Sequence, residues 1–122
     1  MLEEIKTPDI ITKGWGYEKI FVNDEKYCFK ILHFNQYAKL SMHFHMKKDE
    51  TWFIKDGHII LKWINTETAD LNEKHFFKND TIRIRPGVPH QIIAIEDTEI
   101  FEVSTQHFDN DSYRINKGDS QI

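Results

Sequence analysis

The chain has 122 residues, 39% of them hydrophobic and 13% aromatic, with 16 Lys and Arg set against 20 Asp and Glu for a formal charge of −4. That size suits a single domain, 1–122, built around one core. The scattered basic residues, whose longest run is Lys47-Lys48, argue against nucleic acid as a partner. The lack of any apolar run of about 18 residues argues against a transmembrane helix.

The elements follow from alternation and turn chemistry, in chain order. The acidic start "MLEEIKTPDI" lacks the basic-then-apolar order of a secretion signal, which reads as a cytoplasmic protein. "GYEKIFVN" (16–23) alternates, "NDE" turns, and "KYCFKILHF" (26–34) reads as the hairpin partner. "KLSMHFH" (39–45) is a third strand. "TWFIK" (51–55) runs into Asp56-Gly57, a hairpin signal, and "HIILKWIN" (58–65) returns from it. "TETADLNEK" reads as a polar loop. "TIRIR" (81–85), the stiff "PGVP", "HQIIAI" (90–95), "EDTE" and "IFEVST" (100–105) complete the set, and the end from Asn116 reads as a loose tail. About eight short strands and no long amphipathic helix predict an all-β sandwich or barrel, with room inside for one small ligand.

Cys28 is the single cysteine, so no internal disulfide forms, and its strand setting reads as a small buried side chain. The histidines carry more. His43 and His45 are two apart, so in a strand both imidazoles project from one face, with Lys39 and Ser41 on the same face by parity. Each imidazole nitrogen bonds a metal at about 2.1 Å, so two rings so placed can converge on one ion. Glu50 opens the next strand and can reach the same ion. His90, behind the rigid "RPGVP", is the candidate fourth ligand. His33, His58, His75 and His107 have no partner at ligand spacing.

"HFHMKKDETWFIKDG" and "DTIRIRPGVPH" together resemble the two cupin motifs. The resemblance implies a double-stranded β-helix of the jelly-roll type, with core barrel at about 12–115. It implies that His43, His45, Glu50 and His90 hold one divalent transition metal inside the barrel. Iron, manganese, zinc, nickel and cobalt all suit three imidazoles and a carboxylate. A narrower resemblance, carried by "GWGYEKI", "KLSMHFH" and "IFEVSTQHFDNDSYRI", is to the cupin domain of type II mannose-6-phosphate isomerase. It implies isomerisation of a sugar or sugar phosphate. Ser41 stands where that family carries glutamine, and the acidic turn and arginine correspond to Asp109, Asp111 and Arg114.

On such a metal a sugar would bind through its carbonyl and neighbouring hydroxyl, and a base would move the proton between the two carbons. Glu102, on a strand that can line the barrel, and Lys39, on the histidine face, are the candidate catalytic groups. Trp52 shares the parity of Glu50 and can stack on a sugar ring. Arg85 can clamp a phosphate if its set faces inward, and Ser41 can bind a substrate hydroxyl. Two other functions use the same ligands: an iron-dependent dioxygenase, and a non-catalytic sugar-binding or sensor module. The many aromatics, together with the pairing common among small cupins, imply a homodimer.

Overall fold

A computed structural model describes residues 1–3 and 6–122 of the chain. Among these residues eleven strands form two antiparallel sheets. The first contains β1 (Asp9–Lys13), β2 (Gly16–Asn23), β3 (Cys28–Phe34), β5 (Glu50–Asp56), β8 (Thr81–Ile84) and β10 (Thr98–Ser104), in the order β1-β2-β3-β10-β5-β8. The second contains β4 (Met42–Phe44), β6 (His58–Ile64), β7 (Leu71–Phe77), β9 (His90–Ala94) and β11 (Tyr113–Asn116), in the order β11-β4-β9-β6-β7. The inner faces pack on each other as a jelly roll, the all-β fold read from the sequence. No helix among the described residues is long and apolar enough to cross a membrane.

Register sorts the interior into two halves. Along β3 the buried positions are Cys28, Lys30, Leu32 and Phe34, and along β5 they are Glu50, Trp52 and Ile54. Leu32 lies opposite Ile100, which lies opposite Ile54, whereas Lys30 lies opposite Glu102, which lies opposite Trp52. One end of the barrel is therefore filled with hydrocarbon: Leu32, Phe34, Ile54 and Ile100 join Ile59, Leu61, Ile92 and Ala94. The other end carries polar side chains. Strict alternation feeds both, so the same strands that build the core also aim the site residues inward.

Three strands go beyond the sequence expectation. β7 falls partly in the segment read as a polar loop. It is largely exposed, yet it pairs residue for residue with β6 from His58↔Phe77 to Ile64↔Leu71. Backbone pairing makes it a strand, and burial-based patterning does not register such an edge. β1 and β11 are likewise exposed strands. The third predicted strand is shorter than read: only Met42–Phe44 is regular, and Lys39 makes an isolated bridge with Ile93.

The end of the chain is packed, contrary to the loose tail expected from Asn116. The Asp119 N–H donates to the Lys39 carbonyl at 2.8 Å, and the Lys39 N–H donates to Asp119 Oδ2 at 2.8 Å. The Gly14 N–H donates to Ser120 Oγ at 3.0 Å. Gly118 is buried, and a Cβ on it would run into the backbone nitrogen of Ser41. Close backbone approach, rather than side-chain burial, anchors this segment.

Candidate metal centre

His43 and His90 are direct partners across β4 and β9. His45 follows β4 immediately, and one ring nitrogen from each of the three lies within 4.8 Å of the others. All three rings are buried. Each Nδ1 is satisfied by a backbone carbonyl: His43 by Ser41 at 2.9 Å, His45 by Asp111 at 2.7 Å and His90 by Val88 at 2.8 Å. Those bonds assign the proton to Nδ1 and leave every Nε2 lone pair free. This is the tautomer of a histidine ligand whose ring is held from behind.

Glu50, on β5, lies beside this group at His45. Its Oε1 accepts a 2.6 Å hydrogen bond from Trp52 Nε1, and its Oε2 lies 3.6 Å from His45 Nε2. His90 Nε2 and Glu50 Oε2 are both buried with no hydrogen-bond partner. Orphaned buried atoms of this kind are costly unless something binds them. Donors around one ion with bonds of about 2.1 Å stand up to about 4.2 Å apart, close to the 4.8 Å that spans the three ring nitrogens. Three neutral imidazoles and a carboxylate with free lone pairs fit a divalent transition metal.

The electrostatics of the histidines agree. Burial lowers all three histidines, that of His43 to about 4, and Lys48 adds to the effect at each, with neighbouring rings adding to it at His43 and His90. They are neutral at physiological pH, as ligation requires. Burial, then the adjacent Glu102, raises the Glu50 carboxyl to about 8. Burial also acts to raise Glu102, but Lys48 and Lys30 overcome it and hold that carboxyl down at about 2.

The histidines and Glu50 line a cavity of about 600 Å³. Of the other residues singled out from sequence, Ser41, Trp52, Glu102, Asp109 and Arg114 line it too. Ser41 Oγ lies 3.2 Å from His43 Nδ1, and Trp52 meets His90 edge-on with ring centroids 5.5 Å apart. Lys39 and Arg85 do not reach it; both are exposed. The parity argument for Lys39 assumed an unbroken strand from 39 to 45. The chain is irregular up to Met42, and Leu40 lines the cavity instead. Arg85 fails for the opposite reason: alternation holds, with Ile84 buried inward and Arg83 and Arg85 in solvent.

Several cavity residues were not singled out from the sequence. Lys48 is buried, with Nζ 2.8 Å from Glu102 Oε2. Lys30 and Glu18 form a second inward pair at 3.5 Å. Lys30 shares parity with Cys28, Leu32 and Phe34, so alternation alone could have found it. His107 lies between Lys48, at 3.4 Å from Nδ1, and Asp109, at 3.1 Å from Nε2. It belongs to no strand, and no spacing rule reaches it. Asp111, named from the resemblance, does not line the cavity but is buried behind it and accepts from the backbone N–H groups of Met46, Lys47 and Lys48 at 2.9–3.2 Å.

No family model matches the chain, and no curated protein matches it. Solved structures do. The capsular polysaccharide assembling protein CapF from Staphylococcus aureus superposes with a TM-score of 0.80 at 15% identity, over 92% of this chain and 32% of CapF. Bacillus subtilis oxalate decarboxylase gives 0.78 at 17% identity, over 88% of this chain and 30% of its own. KdgF from Halomonas sp. gives 0.66 at 15% identity, over 77% of this chain and 81% of its own. The chain thus spans about a third of the length of the first two. At such identities the likeness concerns architecture, and with the two sheets and their inward histidines it leads to one conclusion: this chain has the cupin fold.

Proposed function

We propose that the protein is a metal-dependent cupin that isomerises a small sugar or sugar phosphate. His43, His45, His90 and Glu50 hold the metal, which is iron, manganese, zinc, nickel or cobalt. The observation that carries the metal reading is the approach of three buried ring nitrogens, from His43, His45 and His90, to within 4.8 Å of one another, with Glu50 Oε2 3.6 Å from His45 Nε2. The carbohydrate reading rests on the resemblance to the type II mannose-6-phosphate isomerase domain. The name of CapF, a capsular polysaccharide assembling protein, supports it at the level of fold. A bound metal supplies Lewis acidity at the substrate carbonyl.

The chain's own residues supply the rest. Glu102 is ionised and lines the cavity, so a carboxylate oxygen can take the proton from the carbon beside the carbonyl and return it to the next carbon. Lys48, 2.8 Å away, balances that carboxylate and brings positive charge to the side where an oxyanion develops. Ser41 Oγ can donate to a substrate hydroxyl, and the Trp52 indole walls the pocket. Lys39 and Arg85, exposed outside the cavity, are given no role. The protein acts as a homodimer.

The test is a panel of aldose and ketose phosphates followed by NMR in deuterated water, with each candidate metal loaded in turn. Deuterium entering C1 or C2 of one sugar supports isomerisation. Iron as the resident metal together with oxygen uptake transfers the site to oxygen chemistry. Sugar binding without exchange makes it a binding module.

A further inference from the structure

We infer that the Lys30–Glu18 pair is a second binding subsite in the cavity, suited to the hydroxyl groups at the far end of an uncharged sugar rather than to a phosphate. The inference rests on the carbohydrate reading above and narrows it. Neither residue takes part in holding the metal or in the proton transfer. Lys30 Nζ stands 3.5 Å from Glu18 Oε1, both residues line the cavity, and their side chains are 4% and 14% exposed.

Stability alone does not call for charges here. Further along the same inner face, Leu32, Ile100 and Ile54 sit opposite one another as hydrocarbon. Replacing a buried ion pair by packed apolar side chains is often neutral or stabilising. The pair also leaves bonding capacity unused. A charge-assisted N–H···O bond is about 2.7–2.9 Å long. At 3.5 Å the two charges balance, but neither the ammonium's three donors nor the carboxylate's lone pairs are consumed by the contact.

Position and charge set the class of ligand. Lys30 lies opposite Glu102, and Glu102 opposite Trp52. Two strand spacings, about 10 Å, therefore separate Lys30 from β5, which carries Glu50. A ligand that reaches both ends is a chain of several carbons. Lys30 has the Glu18 carboxylate as one neighbour and the Glu102 carboxylate across the strand pair. A phosphate brought to Lys30 would meet both negative groups. A hydroxyl accepts from the ammonium and donates to a carboxylate, so it suits both partners at once. A phosphate would have to turn instead to Lys13 or Arg114, which also line the cavity.

The experiment is titration, followed by NMR, of the zinc-loaded full chain with mannose, fructose, their 6-phosphates and their 6-deoxy analogues. Wild type is compared with Glu18→Gln, which keeps the shape of the side chain, and with Lys30→Met. Circular dichroism and metal content verify that each protein is folded and loaded. At least one uncharged hexose is expected to bind about tenfold or more tighter than its 6-phosphate. Each variant should weaken that hexose at least about tenfold with metal content unchanged. Removing the 6-hydroxyl should cost wild type a similar factor and cost Lys30→Met almost nothing, a coupling that a merely structural role would not produce. Tighter binding of the phosphates, or variants that treat the hexoses and deoxy analogues as wild type does, would overturn the subsite and leave the carbohydrate reading standing. Binding of no sugar by wild type would overturn both. Hexose binding that depends on Lys30, without deuterium exchange at C1 or C2, would uphold the subsite and remove only the isomerase reading.

Discussion

Lys48 Nζ stands 2.8 Å from Glu102 Oε2, and both side chains are buried, 4% and 5% exposed. The contact joins two opposite charges in the interior. It brings a cation from the loop before β5 against a carboxylate of the neighbouring strand β10, next to the Glu50 carboxyl. Breaking a buried pair on one side leaves the other charge uncompensated, at about 3–5 kcal/mol. Lys48→Met and Glu102→Gln are each expected to lose stability of that order. The double variant should lose clearly less than the two together. Urea unfolding of all four proteins measures this, and strict additivity would mean that the pair is not coupled.

The metal-free protein should respond to pH in two opposing ways. The folded pKa of His43 is about 4, below the ordinary value. Its contribution is full above about 6.5 and is lost as pH falls through about 4. Glu50 is raised to about 8. Its contribution is present below the ordinary carboxylate range and is lost as pH rises through about 8. Glu50→Gln should therefore stabilise the metal-free chain relative to wild type, by a margin that grows from pH 5 to pH 9. Denaturant titrations across that range check it. A margin that shrinks with rising pH would mean that Glu50 is ionised in the folded metal-free chain.

Asp111 serves two of the site's needs at once. Its carbonyl accepts from His45 Nδ1, and its carboxylate gathers the N–H groups of the loop that carries Lys48. Asp111→Ala should lower metal affinity by about 10–100-fold while leaving all four proposed ligands in the chain. Competition with a chromophoric chelator reads the affinity, and NMR of the imidazole nitrogens reads whether His45 keeps its proton on Nδ1. An unchanged affinity would limit Asp111 to shaping the loop.

What was legible in the sequence was what alternation and turn chemistry encode. The "HFH" spacing, the stiff turn before His90 and the parity of Trp52 with Glu50 all follow from a period of two, and Asp56-Gly57 is a turn in which Gly57 takes φ +103°. The fold was legible for the same reason. Lys39 misled because parity holds only within continuous strand, and the strand begins at Met42. β7 and β11 escaped because exposed strands are held by backbone pairing, which leaves little pattern in side chains. Lys48 and His107 come to the cavity from outside the strands, and Asp111 supports His45 from behind it; their positions depend on long-range contacts across some 60 residues that no local spacing records.

The central claim is that three imidazoles and Glu50 share one metal ion. Its most direct test is elemental analysis of wild type and His90→Ala after loading with manganese, iron or zinc and removal of excess, with circular dichroism to verify the fold. The account predicts about one ion per chain in wild type and almost none in a folded His90→Ala. Equal metal in the two proteins, or none in wild type with any of these ions, would contradict it.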